Sequence, residues 1–371
     1  MQDYSPREAL ITLNLIPGLG SIRIQSLLEF FGSAELALAA PASLLEQVPR
    51  LGRKLASAVA DWRNCTNTTA EIEAAEQHGV RIVTLLDADY PQALRSMADP
   101  PIVLYARGEW RPEDDTRSVA LVGSRLASPY GITHARRFAR ELAENGCTII
   151  SGLARGVDTA AHQGALDAGG RTIAVIGSGI ANIFPQENIA LADSIVRSGQ
   201  GAIVSEFPMF MRPGRTTFPQ RNRIVAAWSR ATCVVEAPTR SGALITARMA
   251  AVEYGRTVFA LPGPVDRPSS AGCHNLIRDG AILCTSPAEL LDDMNWTDTP
   301  RQLDLNFDPT PATAAELSPA EHEVLAAITA GHDTLDALCT ALGMPAHELN
   351  PLLMRMQVKR LISPLPGGRF Q

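Results

Sequence analysis

The chain has 371 residues, too many for one small core and suited to two or three domains. With 46% hydrophobic residues, near-zero mean hydropathy and no apolar run near the ~20 residues of a membrane span, it reads as an ordinary globular protein rather than an integral membrane one. A formal net charge of −6 argues against a surface coated in nucleic acid, but leaves room for a local cationic cleft.

Six scattered cysteines without a C-x-x-C pair suit reduced thiols in a cytoplasm and offer neither a disulfide framework nor a zinc site. The seven histidines form no H-E-x-x-H, so no metal is expected. The opening MQDYSPREAL lacks the basic flank and apolar stretch of a secretory signal, which agrees with a cytoplasmic location.

Residues 1–78 read as helical. The segments 13–32 (LNLIPGLGSIRIQSLLEFFG) and 44–62 (LLEQVPRLGRKLASAVADW) each place a tight turn before a helix. The pattern resembles a SAM-like or tandem helix-hairpin-helix unit, in which turn N–H groups can hold a phosphate; a plain helical bundle is an equal reading.

Residues 79–293 change character. RIVTLL (81–86) and PIVLYARG (101–108) predict peripheral strands. A series of short Val/Ile-rich runs follows at 118–123, 147–152, 171–177, 201–206, 232–237, 256–263 and 281–284. Helical spacing separates most of them, as with Ile132, Ala135, Phe138, Ala139 and Leu142. Alternating strands and helices predict an open, doubly wound, parallel Rossmann-like α/β sheet. Residues 294–317 read as a proline-containing linker. Residues 318–371 carry three helical patterns and a glycine hairpin near 366–368, which suggests a winged-helix-like domain that binds DNA or protein.

Ligands of such sheets bind at the C-terminal ends of the strands. The loops there carry Gly123, Ser124, Arg125, then Ser151, Gly152, Arg155, Gly156, then Gly177, Ser178, Gly179, and later Ser241, Gly242. Glycine admits close backbone approach, serine supplies a hydroxyl, and helix starts after Gly156 and Gly242 point N–H groups outward. From Phe207 to Val235 there are five arginines (Arg212, Arg215, Arg221, Arg223, Arg230) and no acid. Arginine forks match phosphate, and Phe218 beside Arg221, Asn222 and Arg223 offers a stacking face for a base. An ion pair of Arg125 with Glu206 or Glu236 is the competing use of that cation.

Enzymatic readings find less support. The G-x-G-x-x-G of dinucleotide sites fails after Gly179, and there is no Walker loop, so no cofactor is expected. Asp158 and His162 share a helix face near Ser151, but helix capping accounts for the aspartate.

The loop series G-S-R-x-x-S-x-Y-G, S-G-L-A-R-G-V-D-T-A-A-H-x-G-A-L, F-P-x-R-N-R, S-G-A-L-I-T-A and L-P-G, in that order, resembles the DNA-processing protein A (DprA/Smf) family. The resemblance implies a single-stranded DNA-binding, non-enzymatic homodimer that joins through its Rossmann-like domain. Such a protein protects incoming DNA and promotes loading of the RecA recombinase in natural transformation and recombination. It further implies that Gly123, Ser124 and Arg125 hold phosphate at one loop, Ser151, Gly152 and Arg155 at a second, and that Phe218, Arg221, Asn222 and Arg223 form a third wall. The alternative is a nucleoside-monophosphate phosphoribohydrolase on a similar sheet. Its P-G-G-x-G-T-x-x-E loop would need a carboxylate where Arg248 and Met249 stand.

Overall fold

The structure is a computed structural model that describes residues 4–297, 318–359, 361–365 and 369–370. The chain divides into two compact units, Met1–Asp298 and Thr299–Gln371.

The first unit opens with short helices from Pro6–Leu15 to Thr68–Gln77. Local chemistry sets their ends. Ser5 and Glu8 form a capping box ahead of Pro6, Asn67 caps Ala70, and Gly32 closes the second helix at φ 81° in the left-handed region. Their apolar faces share one core with the sheet, where Leu10, Ile11, Leu13 and Ile24 join Ile82, Val103 and Tyr105.

The sheet has nine strands: β1 Arg81–Thr84, β2 Val103–Gly108, β3 Ser118–Val122, β4 Thr148–Ser151, β5 Thr172–Val175, β6 Gly201–Ser205, β7 Ala231–Val234, β8 Thr257–Ala260 and β9 Ile282–Leu283. Their order is β1-β2-β6-β5-β4-β3-β7-β8-β9. Strands β3 to β9 pair in parallel, as the apolar runs predict. The first two pair antiparallel, β1 with β2 and β2 with β6. The sheet is therefore mixed rather than wholly parallel. No crossover helix long enough to return the chain separates β1 from β2, so the second strand runs back beside the first.

Both faces are covered. Val119 and Leu121 of β3 face the helices Pro129–Glu144 and Val157–Asp167, whereas Ala120 and Val122 face Thr217–Trp228 and Gly242–Arg248. The chain steps outward from β3 through β4, β5 and β6, then returns to the other side of β3 as β7. The gap between the ends of β3 and β7 is the topological switch point, where the first loop on each side turns away from the other. After β9, Met294 and Trp296 still pack against this unit, and the remainder of the expected 294–317 linker lies outside the described residues.

The second unit has helices Pro319–Thr329, Leu335–Leu342 and Ala346–Val358 and an antiparallel pair, Pro364–Leu365 with Arg369–Phe370. Val324, Leu338, Leu349, Leu352, Leu353 and Met356 form its own core. Two of its basic residues are occupied: Lys359 pairs with Glu321 at 2.7 Å and Arg369 approaches Asp333 at 3.8 Å. The expected hairpin tip at 366–368 lies outside the described residues.

Candidate nucleic-acid interface

A cleft of about 540 Å³ opens at the switch point. One wall is the turn after β3. Gly123 has no room for a side chain, because a Cβ would lie 2.5 Å from Val157 Cγ2 and 2.9 Å from the Glu236 carbonyl. That close fit lets the Ser124 amide donate to the Glu236 carbonyl at 2.7 Å, tying the turn to the end of β7. The Ser124 hydroxyl accepts from the Leu126 amide at 3.1 Å, and the turn then projects Arg125 and Leu126 outward, Leu126 being 89% exposed. Gly156, at φ 74°, comes up beneath Ser124 so that the Val157 amide can donate to the Ser124 carbonyl at 3.2 Å.

Arg221 forms the floor. It is 3% exposed, and its Nη1 donates to the carbonyls of Gly152, at 2.5 Å, and Val175. Gly152 makes this possible, since a Cβ there would meet the guanidinium carbon at 2.5 Å. Asp158 is buried nearby and accepts from the amides of Gly152 (3.1 Å) and Ala154 (3.3 Å), which fixes the loop after β4. Burial pushes the Asp158 carboxyl up and Arg221 opposes that shift. Burial brings the Arg221 guanidinium down to about 10, with Asp158 holding it up, so it stays charged at neutral pH. Its Nε has no partner among the described residues, leaving a buried cation with an unused donor under the cleft.

The opposite wall follows β7 and contributes Pro238, Arg240, Ser241 and Gly242, with Asn222 between. Ser241 spends its hydroxyl on the Ala243 amide at the start of the next helix. Arg240 is exposed, and among the described residues it makes no ion pair. Arg125 makes none either: its guanidinium lies 4.9 Å from the centroid of the Phe218 ring. Both carboxylates that might have claimed it are occupied. Glu236 accepts from the Ser128 amide and hydroxyl at 2.9 and 3.1 Å, and Glu206 holds Arg223.

Gly123, Ser124, Arg125, Gly152, Arg221, Asn222, Ser241 and Gly242 thus meet at one cleft, the strand-end loops joined there by Arg221 and Asn222 of the helix Thr217–Trp228. Others do not line it. Ser151 is buried and gives its hydroxyl to the Leu121 carbonyl at 2.6 Å. Arg155 is exposed but clasped by both oxygens of Glu187, its Nη2 reaching Oε2 at 2.8 Å. Gly177 packs against Phe218. The Gly179 amide donates to the Met211 carbonyl at 2.9 Å, and the Ser178 carbonyl accepts from Ser205, so the backbone of this third loop is tied to Ser205 and Met211.

Arg223 is the clearest correction. It is buried and braces Glu206 together with the carbonyl (2.7 Å) and carboxylate (3.4 Å) of Asp99. Residues two apart on a helix point about 200° away from each other, so Arg221 and Arg223 serve opposite sides of Thr217–Trp228. Arg240 and Leu126 were not singled out in the sequence. The signal for Arg240 was its position two residues before Gly242 in a switch-point loop.

The residues considered for hydrolysis are each engaged elsewhere. His162 shares a 2.7 Å hydrogen bond with Thr172 Oγ1, and burial drives its pKa to about 3, so it is a neutral core group. Among the described residues no hydrogen bond joins it to Asp158 or Ser151, and no group of metal-ligating side chains is present.

The chain is thus an open, doubly wound α/β protein whose switch point holds a buried cation, an adjacent aromatic and two arginines that make no ion pair among the described residues. A family model described as DNA recombination-mediator protein A matches residues 81–295, and one described as the DprA winged helix domain matches 308–368. Protein Smf of Synechocystis sp. is 33% identical over 385 aligned positions, covering 96% of each chain. Protein Smf of Escherichia coli is 40% identical over 294, covering 76% of each. The X-ray structure of DNA processing protein A from Streptococcus pneumoniae superposes with a TM-score of 0.67 at 32% identity, over 79% of this chain and 99% of that one. A Helicobacter pylori DNA processing protein A structure, described as giving insight into a unique single-stranded DNA binding mode, superposes with a TM-score of 0.52 at 31% identity, over 58% of this chain and 96% of that one. The chain belongs to the DprA/Smf DNA processing protein family.

Proposed function

We propose that the switch-point cleft grips the backbone of single-stranded DNA without reading its sequence, and that the protein mediates natural transformation and recombination through that grip. The observation that carries the reading is the cation set: Arg221 buried and charged beneath the cleft, with Arg125 and Arg240 unpaired at its two walls. Phosphates bind the arginines and turn amides, while an unstacked base lies against Phe218. A duplex keeps its base faces stacked and presents none to that ring.

The handover of strand to the RecA recombinase is part of the same proposal, because an electrostatic grip weakens with salt and releases reversibly. A homodimer formed through the sheet-bearing unit places two clefts on one strand and raises avidity without new contacts. The helical region 1–78 is assigned as a SAM-like or helix-hairpin-helix domain, 79–293 as the DNA-binding domain and 318–371 as a winged helix joined by the 294–317 linker. A cytoplasmic location fits the free cysteines. The family models matching residues 81–295 and 308–368 support the second and third of these domain assignments.

The test is a titration of single-stranded and duplex oligonucleotides at several salt concentrations on wild type, Arg125→Ala and Arg240→Ala. Tighter binding of the single strand is expected, with the logarithmic salt slope falling by about 0.7 for each arginine removed. Equal affinity for both DNA forms, or unchanged slopes, would refute the cleft as the binding site.

A further inference from the structure

Beyond Phe218 lies a group of apolar side chains with no use in the core. Phe184 is 41% exposed, Phe210 58% and Met211 42%. Single exposed apolar residues are ordinary. Phe184 is contiguous with the site: the Phe184 and Phe218 ring centroids lie 6.0 Å apart, tilted by 50°, and Phe218 in turn carries Arg125, while Phe210 meets His78 edge-on with centroids 6.0 Å apart.

The platform is held firmly. The Gly179 and Ala181 amides donate to the carbonyls of Met211 and Met209 at 2.9 and 3.1 Å, and Asn182 Nδ2 donates to the Phe210 carbonyl at 2.7 Å. Within this lashed loop Ile180 and Ile183 pack into the core while Phe184 stays outside. The surrounding charge suits a polyanion. The acid-free segment from Phe207 to Val235 adds exposed Arg212 and Arg215 beside Phe210. The neighbouring carboxylates are already held: Glu187 by Arg155, Glu206 by Arg223, and Glu71 by the Met209 amide at 2.7 Å.

We propose that Phe184 is a second base-stacking step, over which single-stranded DNA leaving the cleft at Arg125 and Phe218 continues toward Phe210. This rests on the single-strand reading above and extends it from a pocket to a path. Every base has a π-face, so a run of rings orders a strand without selecting sequence, and a strand longer than the cleft gains affinity from each ring it crosses.

The experiment uses the full chain, fluorescent oligothymidylates of graded length, and a long oligomer abasic throughout, with wild type, Phe184→Ala and Phe184→Trp. Phe184→Ala is expected to bind long oligothymidylates about tenfold more weakly while leaving oligomers short enough to span only the cleft unchanged. On the abasic oligomer the variant and wild type are expected to match, and Phe184→Trp is expected to restore the loss. Wild-type affinity of Phe184→Ala for long oligomers overturns the proposal, as does an equal loss on the abasic oligomer, which would make Phe184 a prop for its loop. Either result leaves the cleft standing if Arg125→Ala still weakens binding; failure of wild type to hold any single strand overturns the proposed function itself.

Discussion

Replacing Arg223 by methionine separates a structural arginine from the binding arginines beside it. The side chain is buried against Glu206 and Asp99, with Tyr90 and Tyr254 also facing the group. Burial raises the Glu206 carboxyl to about 7 even with Arg223 opposing the shift, against an ordinary value of 4.5. That displacement corresponds to about 3 kcal/mol of pH-dependent folding free energy, at 1.36 kcal/mol per unit. Because the folded-state value is raised, this stability is fully present below pH 4.5 and is lost as pH rises through 7. Without the guanidinium the Glu206 carboxyl moves higher still, and the loss continues above neutrality. Arg223→Met is therefore predicted to destabilise by about 3–5 kcal/mol at pH 8, the cost of orphaning one member of a buried pair. The deficit should shrink toward pH 5, where Glu206 is protonated in both proteins. Urea denaturation of both proteins between pH 5 and 8 measures it, alongside single-strand affinity under conditions where both are folded. A pH-independent deficit, or unchanged stability with lost DNA affinity, would refute the assignment of Arg223 as a strut.

Three further outcomes test the site. Gly152→Ala drives a methyl into the Arg221 guanidinium and is predicted to weaken single-strand binding at least tenfold, with an overpacking cost of about 1–3 kcal/mol in denaturation. Glu187 is held below its ordinary value by its hydrogen bond to Arg155, so Glu187→Gln releases an exposed cation near the cleft. Tighter single-strand binding and a salt slope steeper by about 0.7 are expected, with an unchanged thermal midpoint; unaltered affinity would show that Arg155 does not reach the strand. Ser151→Ala loses its bond to the Leu121 carbonyl and is predicted to cost about 1 kcal/mol of stability while leaving DNA affinity alone; a selective affinity loss would restore Ser151 to the site.

The segments that became β3 to β8 were legible because a strand buried on both faces must be apolar at successive positions, and that pattern is local. The glycines of the strand-end loops were legible for a similar reason: Gly123 and Gly152 mark places where another group takes the space of a Cβ. The direction of β1 and β2 was not legible, since pairing direction depends on which distant strand lies alongside. The limits of the ligand site were also hidden. Ser151 and Ser178 look like Ser124 in sequence, but Ser151 gives its hydroxyl to the Leu121 carbonyl, that of Ser178 is buried without a partner among the described residues, and that of Ser124 accepts from the Leu126 amide.

For the arginines the division is sharpest. Glycine-rich loops at strand ends and an acid-free, arginine-bearing segment can be read from residue order, because composition and periodicity are properties of the chain alone. Which cations remain available is settled by the packing of distant segments. Arg221 lies beneath the cleft, Arg223 is spent on Glu206, Arg155 on Glu187, and Arg125 and Arg240 stay unpaired. A guanidinium is committed by whichever carboxylate folding brings within reach, and Glu206 and Glu187 are brought there by the sheet order and by the loop after β5.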